Sequence, residues 1–321
     1  MRRSSILLQI IVGISIIIFI FKKFDINNVI SILKQTDYLF FILACLAYLF
    51  LNFTLAARLN YLLTRIGYRI KFSTVFFSHM GGMMAGDVTP GRSGYFLTPP
   101  LMKKNAGSQI TDGMACIFAP QAIEFILKVS GATAAIIYIS TLPGISNDML
   151  ISAGTGATIL LIVGVLMLTV SWRNEEVTSR LLSRVPFFKN FTENLLSFKE
   201  RNIGIRENIN AILILSMVGW VFAALQWFYL GRAIGIELPF FVFFLLHPLL
   251  SILMFVPISP AGFGVMELGT IGVFSLFGIS PALAVAFSVL VRISILLVDL
   301  AGLKTVLASL GDINIKFRGS G

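Results

Sequence analysis

Residues 81–96, GGMMAGDVTPGRSGYF, decide how this chain is read. They set Gly81, Gly82, Gly86, Gly91 and Gly94 around Asp87, Thr89, Pro90 and Arg92, inside a 321-residue sequence that is 57% hydrophobic and only 12% charged. A mean hydropathy of +0.90 marks a polytopic membrane protein. Glycine and proline interrupt helices, and interrupted backbone at membrane depth survives only where protein or a water-filled cavity satisfies its polar groups. The segment therefore predicts a deliberate break, with Thr-Pro-Gly-Arg forming a turn that presents Arg92 from a helix end.

Outward from this break, apolar windows long enough to cross a bilayer cover 5–21, 38–57, 115–139, 150–171, 210–231, 239–256 and 283–303, with irregular segments at 72–98 and 257–280. The expected fold is all-α. It is a polytopic membrane helix bundle of 7–8 transmembrane helices with one or two re-entrant or broken Pro/Gly segments, forming a single transmembrane domain over 1–321. The first window follows Arg2 and Arg3 and lacks a small-residue cleavage site, so it reads as a retained helix. The stretch 172–209 carries Arg173, Arg180, Arg184, Lys189, Lys199, Arg201 and Arg206, the mark of a cytoplasmic connection between two halves. Apolar residues recur there on both sides of Pro186, which fits two interfacial amphipathic helices or a solvated hinge. Counting back places 58–71 and the N-terminus on the cytoplasmic side of a cell membrane. The side of the C-terminus depends on whether 257–280 crosses or re-enters. Each half holds a Pro/Gly-interrupted segment followed by a helix with ionisable residues, a symmetry frequent in transporter folds.

The formal charge of +10 belongs to short polar connections, where it suits anionic lipid head groups and offers no groove for nucleic acid. Cys45 and Cys116 lie in apolar windows and argue for neither a disulfide nor a metal site. There is no G-x-S-x-G, no H-E-x-x-H, no Asp-rich diphosphate motif and no P-loop. Catalytic residues, metals and cofactors are accordingly not expected, nor is enzymatic activity.

An ionisable side chain at the centre of a membrane helix costs about 2.5–3.5 kcal/mol on insertion scales, so each one calls for a partner, a wet cavity or a function. Glu124 and Lys128 stand at i, i+4 and predict a self-neutralising ion pair or a cavity wall with a proton role. Arg292 and Asp299, seven apart, share a helix face; Arg292 reads as the bundle-facing charge and Asp299 as an interfacial residue of little consequence. Glu267 follows Pro257, Pro260, Gly262 and Gly264, which disfavour a continuous helix. His79 and His247 read as structural hydrogen bonders before proton carriers.

These motifs in their order resemble the transmembrane, flippase-type domain of the lysylphosphatidylglycerol synthase family, over about residues 5–305. The carriers are AARLNYLLTRIG with Arg58, TPGRSG with Pro90, Gly91, Arg92 and Gly94, Glu124 in the following helix, PISPAGFGVMELG ending near Glu267, and VRIS with Arg292. The resemblance implies an all-helical bundle that moves anionic or modified lipids, or lipid-linked precursors, between leaflets. The aminoacyltransferase domain of fused members has no counterpart here, so the synthase activity is not carried over. Tyr95 stands where the family usually has Glu, and Lys128 where an acidic residue is common. Both changes remove negative charge.

The function expected is a lipid flippase in which Arg58, Arg92, Arg292 and Thr89 bind a phospholipid or polyprenyl-phosphate head group. Glu124, Lys128, Glu267 and Asp87 would balance charge or couple protons. Pro90, Gly91, Gly94, Pro257, Pro260, Gly262 and Gly264 would act as helix breaks or hinges. Membrane lipids are the expected partners, and a biosynthetic enzyme or a second copy of the chain is compatible with the same features. The alternative is a non-catalytic membrane subunit or scaffold for lipid or glycan biosynthesis.

Overall fold

A computed structural model describes residues 26–89, 91–141, 205–255 and 262–308, with a few positions between 151 and 169 (151, 155, 158, 161–162, 164–166 and 169). The expected helix at 5–21, most of the window 150–171 and most of the connection 172–209 lie outside the described residues, as do Pro90, Pro257 and Pro260. The regular elements are α1 (Ile26–Lys34), α2 (Tyr38–Arg65), α3 (Phe72–Asp87), a 3₁₀ turn (Ser93–Leu97), α4 (Thr98–Ala106) and α5 (Ile110–Ser140). There follow α6 (Ile209–Ala233), α7 (Phe240–Ser251) with a 3₁₀ extension (Ile252–Phe255), α8 (Val265–Ser275) and α9 (Pro281–Asp299), which continues to Ala308. Among the described residues the regular structure is all-α.

Helices α2, α5, α6 and α9 with its continuation are long and apolar enough to cross a bilayer. The 28 residues of α2 reach about 42 Å at 1.5 Å per residue, more than the ~30 Å hydrocarbon core. Its start is fixed by Asp37, whose Oδ1 accepts the Leu39 N–H at 2.8 Å. Ser280 does the same for α9, accepting from Leu283 N–H at 3.3 Å just before Pro281. Helices α2 and α6 lie antiparallel: Tyr61 Oη donates to Asn208 Oδ1 at one end (2.8 Å), and Asp37 N–H donates to Ala233 O at the other (2.8 Å).

Helix α3 has 16 residues, about 24 Å, too short to cross. After Asp87 the chain turns, and α4 runs back beside it, bringing Asn105 Nδ2 to 3.4 Å from Ser78 Oγ. At the base, Gln109 N–H donates to Tyr68 Oη at 3.1 Å, and that hydroxyl donates to Asp112 at 2.6 Å. Residues 72–106 are therefore a re-entrant hairpin that leaves by the end at which it entered.

The window 239–256 does not span, contrary to its hydropathy. Tyr138, near the end of α5, packs against both Phe241 at the start of α7 and Phe277 just beyond α8, with ring centroids at 5.6 and 6.4 Å. Helices α7 and α8 are thus the two arms of a second re-entrant hairpin. Many of its apolar side chains face protein: Phe243, Leu246 and Leu250 are buried, and the rings of Phe274 and Phe287 pack beside them in a tilted pair, centroids 4.9 Å apart. Hydropathy reports apolar surroundings, and a packed bundle interior supplies these as well as lipid does.

Both halves share one plan, a long helix, a hairpin and a long helix. The first hairpin enters from the end that carries Arg65, Arg69, Lys71, Lys103 and Lys104; the second enters from the end where Asp37 meets Ala233. Helix α9 finishes at the basic end, where Lys104 Nζ donates to Ala308 O at 2.6 Å. Because neither 239–256 nor 262–279 crosses, the last helix returns the chain to the end holding 58–71, which resolves the parity that the sequence left open.

Candidate functional site

The two hairpin tips and the long helices enclose a chamber of about 640 Å³. Arg92 and Tyr95 come from the first hairpin, Ser251 and Met254 from the second, Arg58 from α2, and Glu124 with Lys128 from α5. Its walls are otherwise mostly apolar. Among the described residues that line it, the charged groups are Arg58, Arg92 and Lys128 against the carboxylate of Glu124.

Arg58 is held by two contacts from one nitrogen: NH1 stands 2.5 Å from Glu124 Oε1 and donates to Ser216 Oγ at 2.7 Å. Gln121 Nε2 donates to the other Glu124 oxygen at 3.3 Å. Glu124 thus has a hydrogen-bonded partner 66 residues away on α2, while Lys128 stands one turn along its own helix and lines the same chamber. A planar guanidinium aims its N–H groups at a carboxylate, which favours this charge-assisted contact across the bundle.

At the first tip, Arg92 adopts a left-handed backbone, φ +55°, which costs a non-glycine residue about 1–3 kcal/mol. Two local contacts hold it. Arg92 NH2 lies 2.5 Å from Asp87 Oδ1, and Thr89 Oγ1 accepts the Gly94 N–H at 2.7 Å while it donates to Ala85 O at 3.0 Å. Thr89 thus clasps the turn and is not among the residues lining the chamber. Gly94 is required because a Cβ there would sit 2.2 Å from Ala85 O. Gly91, also left-handed at φ +59°, lines the chamber.

Behind the tip, fully buried His79 bridges Tyr95 Oη (3.1 Å) and Asn52 Oδ1 (3.1 Å). Asn52 Nδ2 donates to Tyr48 O at 3.0 Å, which turns its oxygen toward the imidazole. His79 therefore carries its proton on Nε2 and accepts the Tyr95 hydroxyl at Nδ1. Tyr95, where a carboxylate is usual in the family the motifs resemble, gives the chamber a neutral wall. His247 lines the chamber and meets Trp227 edge-on at 4.9 Å.

Arg292 does not line the chamber; its helix contributes Val291 and Ile295 instead. Arg292 Nε lies 2.5 Å from Glu267 Oε1, its guanidinium covers the Phe263 ring at 3.8 Å, and Glu267 Oε2 accepts the Gly264 N–H at 2.7 Å. Arg292 and Glu267 thus pin the return arm of the second hairpin. Gly262 and Gly264 sit in that turn, both at positive φ. Asp299, expected at an interface, is 1% exposed and accepts from Tyr48 Oη at 3.1 Å. The chamber's Tyr48, Ser216 and Gln226 went unnoticed in the sequence, where their signal was a single polar group within an apolar helix. Among the described residues no group of three or more His, Cys, Asp or Glu is placed to hold a metal ion.

Fold and site together define an α-helical membrane protein with two re-entrant hairpins meeting at a cation-rich interior chamber. The family model of the lysylphosphatidylglycerol synthase TM region matches residues 6–302, and the chain belongs to that family. It is 23% identical over 308 residues to a UPF0104 membrane protein of Pyrococcus horikoshii, covering 89% of this chain and 91% of that one. A UPF0104 membrane protein of Methanocaldococcus jannaschii is 24% identical over 213 residues, 66% of this chain and 87% of its own.

Proposed function

We propose that the protein moves an anionic lipid, a phospholipid or a polyprenyl-phosphate-linked precursor, between the leaflets of the cell membrane without chemically altering it. The observation that carries this reading is the chamber wall: Arg58, Arg92 and Lys128 outnumber the single carboxylate of Glu124 in a lining that is otherwise mostly apolar. A phosphate head group fits such a wall, since guanidinium groups bind phosphate bidentately and remain protonated when buried. Apolar tails would stay in lipid. Hairpins entering from opposite ends supply two gates, one at each side of the chamber, as alternating access needs. The positive-inside rule places the end with Arg65, Arg69, Lys71, Lys103, Lys104 and Lys304 in the cytoplasm.

Reconstitution in liposomes with fluorescent phosphatidylglycerol, followed by quenching from outside, tests the assignment. Wild-type protein should expose inner-leaflet probe, and Arg92→Ala at equal protein level should abolish that exposure. Undiminished movement in Arg92→Ala sinks the assignment. Co-purification of a glycosyltransferase, with no lipid moved by the isolated chain, would point instead to a non-catalytic subunit.

A further inference from the structure

Behind Arg92, away from the chamber, lies a second carboxylate that the transport reading does not use. Asp87 at the end of α3 is 6% exposed and Asp299 at the end of α9 is 1% exposed. One oxygen of each is spoken for: Asp87 Oδ1 by Arg92 at 2.5 Å, and Asp299 Oδ2 by the Tyr48 hydroxyl at 3.1 Å. The other two, Asp87 Oδ2 and Asp299 Oδ1, are shielded from solvent and have no hydrogen-bond donor. The helices that carry them pack closely, since a Cβ at Gly302, just past Asp299, would sit 2.3 Å from the Met80 carbonyl carbon on α3, and the two acids fall in one electrostatic cluster with Arg92 and Tyr48. Two orphaned, buried acceptors in one cluster are costly as a pair of anions, and one proton between them satisfies both.

We propose that Asp87 and Asp299 share a single proton and form a proton-binding site linked through Arg92 to the head-group chamber. The titratable and charged groups facing one another here are Asp87 from α3, Asp299 from α9, Tyr48 from α2 and Arg92 from the turn. With one proton, the two carboxyl groups carry one negative charge, which Arg92 neutralises. When Arg92 swings its N–H groups toward a phosphate, Asp87 loses its counter-charge inside the bundle, and a second proton settles there. The departing phosphate returns Arg92 to Asp87 and expels that proton. Anion and proton therefore bind together, and the coupling is reciprocal.

This linkage rests on the proposed transport of an anionic lipid, but the shared proton does not, so two measurements separate them. Infrared spectra of the protein in nanodiscs at neutral pH should show the carbonyl stretch of a buried protonated carboxyl. That band should vanish in Asp299→Asn and vanish or shift in Asp87→Asn. Its absence from the wild type, or its survival unchanged in both variants, overturns the shared proton. Calorimetric titration with short-chain phosphatidylglycerol, in buffers of different ionisation enthalpy, should report about one proton taken up per head group bound. Binding without uptake overturns the linkage and leaves the transport reading standing. No binding at all overturns the transport reading and the linkage together, while the infrared band still decides the shared proton.

Discussion

Each hairpin has an arginine–carboxylate contact near its turn, and the two contacts face different ways. In the first, Arg92 bonds to Asp87 five residues earlier on the same tip, and Arg92 looks into the chamber. In the second, Glu267 is turned onto Gly264 and onto Arg292 of α9, which lies over the Phe263 ring outside the chamber. The first pair is a local clasp at the chamber wall. The second is a cross-link between elements 25 residues apart, satisfied on each side. One architecture thus sets one arginine at the chamber wall and buries the other as a rivet.

The largest expected effect removes the rivet. Arg292→Ala leaves Glu267 buried without its counter-charge, and breaking one partner of such a pair costs about 3–5 kcal/mol. The thermal midpoint in detergent should fall much further than in Arg92→Ala. Equal losses in the two variants would erase the distinction between clasp and rivet.

A smaller effect is expected where the arms touch. A Cβ at Gly94 would meet Ala85 O at 2.2 Å, and one at Gly262, φ +69°, would meet Leu253 O at 2.6 Å. Alanine at either position should cost about 1–3 kcal/mol through overpacking and backbone strain. Gly272, whose Cβ would meet nothing within 4 Å, is the control. Gly272→Ala should leave the midpoint unchanged or raise it slightly, since alanine favours a helix over glycine by about 1 kcal/mol. A loss there as large as at Gly94 would show that the tips are not the sites of closest approach.

The smallest effect separates turn from wall. Thr89→Val removes the acceptor of the Gly94 N–H and should cost about 1 kcal/mol of stability, while affinity for short-chain phosphatidylglycerol stays at the wild-type value. An affinity loss matching that of Arg92→Ala would restore Thr89 to the binding wall.

Much of the bundle was legible because its evidence is local. Windows at 38–57, 115–139, 210–231 and 283–303 coincide with α2, α5, α6 and α9, and α3 ends at Asp87, just before Thr89 and Gly91, whereas Gly81, Gly82 and Gly86 stay within the helix. The window 239–256 misled because hydropathy scores a segment's surroundings as apolar without saying whether lipid or protein supplies them. Arg58 as a partner of Glu124 was out of reach for a related reason: spacing along one helix names the neighbour Lys128, whereas Arg58 arrives from another helix. Asp299 was undervalued because nothing near it in sequence signals Tyr48 or Asp87, which lie 251 residues away in the hydroxyl contact and at the far end of another helix.

By itself, then, the sequence determined that the chain lives in a membrane, where its helices run, where they must break, and which ionisable residues need a reason to be there. Those conclusions follow from free energies that each residue pays within its own few turns of backbone. Only the tertiary structure decided which arginine faces the chamber, which carboxylate each cation meets, and that two acids stand together behind Arg92. Such pairings depend on helices distant in sequence packing side by side, and no local pattern encodes the partner.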